Sequence, residues 1–114
     1  MSQNKKSIVD KFIGNLSNAV IHEILEKAIN DEQVSKRYNK EISISLDKAE
    51  IYREKINPKS SPLPDKDIEY IKEKIKIKIK SELNQRIRKG YQNINLELII
   101  PLTEKYLLKT KIAQ

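Results

Sequence analysis

Two long stretches of this chain carry an apolar residue at every third or fourth position, and that spacing constrains the fold more than any other feature. Between Ser7 and Ile29, apolar side chains fall at 8, 12, 16, 20, 24 and 28, with companions at 9, 13, 21, 25 and 29. Between Asp65 and Lys89 the series is Ile68, Ile71, Ile75, Ile79, Leu83 and Ile87. Residues three and four apart share one face of an α-helix. The spacing therefore predicts amphipathic helices over 7–29 and 65–89. Ser7, with Asp10 three residues on, reads as an N-terminal cap. Asn30 is a stop, and Gly90 stands where a C-terminal cap belongs. The first stripe is broad enough to pack on several neighbours or on a second copy of the chain.

The intervening segments are less uniform. Asp31–Tyr38 predicts a short helix through Val34 and Tyr38. Glu41–Leu46 alternates apolar with polar, the period of a strand, and runs into a helical stretch at 47–56 that Ser45 could cap. A strand needs a partner for its edges, and Ile94–Leu98 alternates in the same way. The chain after Gly90 is therefore either a strand at 94–100 or a helix capped by Asn95. Lys74–Lys80 also alternates, but the helical pattern spans the whole of 65–89 without a turn residue. Pro101 interrupts helical hydrogen bonding, which predicts a last helix over 102–111. Three prolines within Asn57–Pro64 predict an extended connector between the halves. The expected fold is all-α in a single domain, 1–114: two long antiparallel helices, 7–29 and 65–89, with shorter ones at 47–56 and 102–111. The alternative is α+β, with a small sheet from 41–46 and 94–100.

Composition narrows the function. The 114 residues include no cysteine, no tryptophan, one histidine and two glycines. Disulfides, thiolate metal sites and cysteine nucleophiles are excluded together. The amino end is polar and basic through Lys6, and Asp10 and Lys11 break the apolar run that a secretory signal requires. No stretch approaches the ~20 apolar residues of a membrane span. A cytoplasmic location is the expectation, with no membrane partner, since the lack of Trp and the single Phe12 also disfavour membrane-surface binding.

Catalytic constellations are not apparent. His22 lies off the apolar stripe one turn before Glu26 and reads as an exposed member of an i,i+4 pair. Asp65, Asp67 and Glu69 suit the positive end of a helix dipole, and helical geometry spreads them around the axis rather than converging them on a metal. No serine lies in a glycine-flanked elbow. Gly14 and Gly90 are isolated, so neither a P-loop nor a dinucleotide fingerprint exists. A non-catalytic protein without cofactor or metal is expected.

Charge is the remaining signal. The net charge is +7. Residues 1–57 hold 10 basic and 9 acidic side chains, whereas 58–114 hold 13 and 7. Lys72, Lys76 and Lys80 form one line on the second long helix, and Lys74 and Lys78 lie nearly opposite. Two lines of lysine track a phosphate backbone poorly unless the apolar stripe between them is narrow. Arg86, Arg88 and Lys89 cluster beside Tyr91, whose ring suits stacking on a base. The candidate nucleic-acid residues are thus Lys72, Lys76, Lys80, Arg86, Arg88, Lys89 and Tyr91, for DNA or RNA. Tyr70 and Ile77 point off the main stripe and are candidate interface residues for a homodimer or another protein. The expected function is nucleic-acid binding, alone or in a nucleoprotein assembly; the alternative is a helical adaptor or oligomerisation module.

Overall fold

The computed structural model describes residues 4–58 and 61–112. The first helix, α1 (Lys5–Lys27), begins two residues earlier than the spacing predicts. Its cap is Asn4 rather than Ser7: Asn4 Oδ1 accepts the Ser7 N–H at 2.7 Å. Asparagine is among the best residues at this position, because its short side chain reaches an orphan amide of the first turn.

The second helix, α2 (Glu32–Ile56), is continuous where a short helix, a strand and another helix were expected. Asp31 caps it, accepting from the N–H groups of Gln33 and Val34. The strand at 41–46 is overturned, and the physical reason is a second periodicity. Tyr38, Ile42, Ser45, Ala49, Tyr52 and Ile56 are spaced alternately by four and three, and all are buried or half-buried. That is the heptad seam of two helices wound closely together. Ile44, which made the segment alternate, is 38% exposed. The small residues Ser45 and Ala49 let α2 lie close against α1. Across the turn between the two helices, Ser35 Oγ donates to Glu26 at 2.7 Å.

Lys59 and Ser60 of the proline-rich connector lie outside the described residues. Leu63 is buried against the core, and α3 (Asp65–Arg88) follows, burying Ile71, Ile75, Ile79 and Leu83. Lys74–Lys80 is helical throughout. Gly90, at φ 102°, closes the helix. The Gly90 N–H bonds Ile87 O and the Tyr91 N–H bonds Arg86 O, each at 3.0 Å, the paired bonds of a Schellman cap. No strand occurs among the described residues. Residues 94–100 instead enter a 3-10 turn at Leu96–Leu98, capped by Asn95, and then α4 (Ile99–Lys109). The last helix starts three residues before the expected 102 because Pro101 falls in its first turn, where a backbone N–H has no helical partner to lose.

α1 packs against α2, α3 and α4, and α3 also packs on α4. The expected antiparallel arrangement of the two longest apolar stretches is corrected. Val9 of α1 and Ile71 of α3 line one cavity near the amino ends of both helices, while His22 and Arg86 interact electrostatically near their carboxyl ends. The two helices run parallel, since the unforeseen length of α2 reverses the chain once more. The core is aliphatic apart from Phe12 and Tyr106.

Among the described residues, one charged side chain is fully buried. Arg53 is 0% exposed, and its guanidinium ties two helix ends together. Nε donates to Thr110 O at 2.9 Å and Nη2 to Lys111 O at 3.0 Å, beyond the end of α4. Nη1 donates to Asn57 O and Oδ1, at 3.1 and 2.6 Å, at the end of α2. Helix carboxyl ends carry partial negative charge and unpaired carbonyls, which a guanidinium satisfies. Burial lowers its pKa, and Glu54 and Glu50 oppose that shift. An ammonium cannot reproduce the planar fork. Arg53→Lys is expected to cost about 2 kcal/mol of stability in denaturant unfolding, against near-neutrality for the exposed Arg37→Lys. Equal costs would contradict the assignment.

Candidate nucleic-acid interface

The surface of α3 follows from how little of it is buried. Its buried residues recur at a spacing of four, so they drift only slowly round the helix and occupy about a third of the circumference. Tyr70 and Ile77 lie on the opposite side, 43% and 60% exposed. The lysines fill the flanks between. Lys74, Lys78 and Lys80 are exposed and make no ion pair with a described residue. Lys74 lies over the Tyr70 ring, 5.6 Å from its centroid.

The expected line of Lys72, Lys76 and Lys80 is not uniform. Lys72 faces α4 and pairs with Glu104 at 3.2 Å. Lys76 is half-buried, 3.9 Å from Glu73. Lys80 alone of the three is exposed. Lys74 and Lys78, on the other flank, are better placed to meet a polyanion; sequence reasoning set them apart because the packing position of α4 was not visible to it.

Near the carboxyl end of α3, Arg86 turns inward. It shares the side of the helix that buries Ile79 and Leu83, and its Nε is buried without a hydrogen-bond partner among the described residues. Its guanidinium carbon lies 5.5 Å from the centroid of Tyr91. Arg88, Lys89 and Tyr91 are exposed. The structure therefore brings Arg86 and Tyr91 together, whereas Arg88 and Lys89 are exposed, Arg88 about 200° round the helix from Arg86.

His22 is not the exposed partner of Glu26 that its spacing suggested. Glu26 accepts from Ser35, and His22 is half-buried, stacked on Tyr38 at 5.8 Å between centroids. His22 Nδ1 is buried and unpaired among the described residues. Burial lowers its pKa below the ordinary 6.5, Glu41 opposes the shift and Arg86 adds to it. At the next residue of α1, the Tyr106 hydroxyl donates to Glu23 Oε1, and Lys105 lies 3.6 Å from Glu23 Oε2. Burial and that carboxylate push the Tyr106 phenol well above its ordinary value.

A cavity of about 300 Å³ opens between the amino ends of α1 and α3, floored by Val9, Ile56, Leu63 and Ile71. Its mouth mixes Lys5 and Lys6 with Asp10 and Asp67, which favours a ligand of neither sign. No group of three or more His, Asp or Glu side chains is placed to hold a metal among the described residues. Nor is any described helix long and apolar enough to cross a membrane. Comparison with protein-family models, with curated proteins and with solved structures finds no match.

The environment of His22 has a measurable consequence. A histidine whose pKa is lowered by folding stays neutral in the native state, while the unfolded chain takes up a proton as pH falls through 6.5. Its contribution to stability is complete above pH 6.5 and is lost as pH drops toward the lowered native value. Denaturant midpoints between pH 7 and 5 are expected to fall more steeply for the native protein than for His22→Gln. Parallel slopes would show His22 to be solvated.

Proposed function

We propose that this chain is a small non-catalytic protein that binds nucleic acid, alone or within a nucleoprotein assembly, through the basic half of α3. The observation that carries the reading is the charge between Lys74 and Lys89. Seven basic side chains stand there in sequence against Glu82 alone. Arg86 turns inward and Lys76 lies beside Glu73, which leaves Lys74, Lys78, Lys80, Arg88 and Lys89 exposed around a narrow buried stripe. Two lysine flanks can then engage one backbone, with Ile77 between them. Phosphate contacts of this kind are electrostatic and release condensed counterions, so affinity falls steeply with salt.

A protein-adaptor role is the second reading, and its support is the exposed Tyr70 and Ile77. Exposed Ile44 and Ile51 on α2, seven residues apart on one face, add to it. The two readings separate by mutation. Fluorescence anisotropy of labelled DNA and RNA across a salt series is expected to give a linear log–log dependence. In Lys78→Glu/Lys80→Glu/Arg88→Glu the slope is expected to fall by about three contacts' worth, with helicity unchanged. Ile77→Glu is expected to leave that binding intact. Loss of assembly in Ile77→Glu, with no affinity of the native protein for nucleic acid, would establish the adaptor instead.

A further inference from the structure

The loop that leaves α3 adds a second kind of chemistry to the basic surface. Between Glu82 and Glu97 the chain holds no acidic residue, while it holds Arg86, Arg88 and Lys89 and five side-chain amides: Asn84, Gln85, Gln92, Asn93 and Asn95. The Schellman cap turns the chain sharply at Gly90, and the Tyr91 N–H bond to Arg86 O fixes the residue that follows. The Tyr91 ring is 42% exposed, with the Arg86 guanidinium over one of its faces. Asn93 then adopts a left-handed conformation, φ 65°, which asparagine tolerates better than most residues. The side chains of Gln92 and Asn93 are exposed and bond no other described residue, whereas Asn95 Oδ1 is used by the Glu97 N–H.

We propose that this loop is a base-stacking site and that the ligand is single-stranded nucleic acid, an inference that rests on the nucleic-acid reading above. Arg86 covers one face of Tyr91, and the opposite face is the surface on which a base stacks. The Gln92 and Asn93 amides present paired donors and acceptors that match the hydrogen-bonding edges of a base. Arg88 and Lys89 hold the adjoining phosphates. A duplex closes its base faces against one another and spends its Watson–Crick edges in pairing, so it can use only the cations here. A single strand uses all three.

Anisotropy at fixed salt with a labelled oligothymidine, an oligouridine, a duplex of the same length and an abasic deoxyribose-phosphate strand tests this. The native protein is expected to bind the single strands at least tenfold more tightly than the duplex. Tyr91→Ala is expected to lose about tenfold on the single strands and nothing on the duplex or the abasic strand; Tyr91→Phe, which keeps the ring, retains native affinity. Tyr91 is exposed, and circular dichroism checks that the helices survive its removal. Tighter duplex binding, or equal single-strand affinity for Tyr91→Ala and the native protein, overturns the stacking site while leaving nucleic-acid binding in place. Absence of binding to every probe overturns both.

Discussion

α1 buries nine residues from Phe12 to Leu25, and at 100° per residue they cover roughly two-thirds of its circumference. A helix apolar over so wide an arc is stable only when neighbours cover each part of it. α2 takes one side along a close heptad seam, and α3 and α4 share the rest. The division is unequal. Because α1 provides eight of the nineteen buried apolar side chains among the described residues, α3 buries only Ile71, Ile75, Ile79 and Leu83, and the rest of its surface carries lysine and arginine alongside Glu69, Glu73 and the exposed Tyr70 and Ile77. The cationic surface is thus a consequence of how the core is apportioned.

The carboxyl-terminal helix depends on polar bonds as much as on burial. Lys111 sits at φ 58°, a left-handed conformation that costs a lysine roughly 1 kcal/mol. Three things offset it: the Ile112 N–H bond to Leu107 O at 2.9 Å, the burial of Ile112 to 1% exposure, and the Arg53 bond to Lys111 O. Once α4 is anchored there, Glu104 meets Lys72 and Tyr106 meets Glu23. The cost to the basic surface is Lys72, whose charge is spent within the fold.

Much of this was legible in the residues. The four-residue spacing of Ile71 to Leu83 and of Phe12 to Ile24 identified two helices, Gly90 ended one where the structure ends it, and the all-α class follows from them. What misled was α2. Ile42, Ile44 and Leu46 imitate a strand, while the period that governs the segment runs through Ser45 and Ala49, residues too small to register as a hydrophobic pattern. Missing that helix also inverted the relative direction of α1 and α3. At the surface, the pairing of Arg86 with Tyr91 was visible from their proximity in sequence. The departure of Lys72 toward Glu104, and the seclusion of His22 beside Tyr38, depend on contacts from residues 16 to 32 positions away, which no local pattern encodes.

The proposed single-stranded ligand would contact both a narrowly buried helix and an amide-rich loop. Amide chemical shifts of the ¹⁵N-labelled protein, followed during titration with a short single-stranded oligonucleotide, test that directly. Perturbations confined to residues 74–93, with α2 and the cavity around Leu63 unchanged, are the predicted result. Perturbations centred on Ile44 and Ile51, or an unchanged spectrum at saturating oligonucleotide, would contradict it.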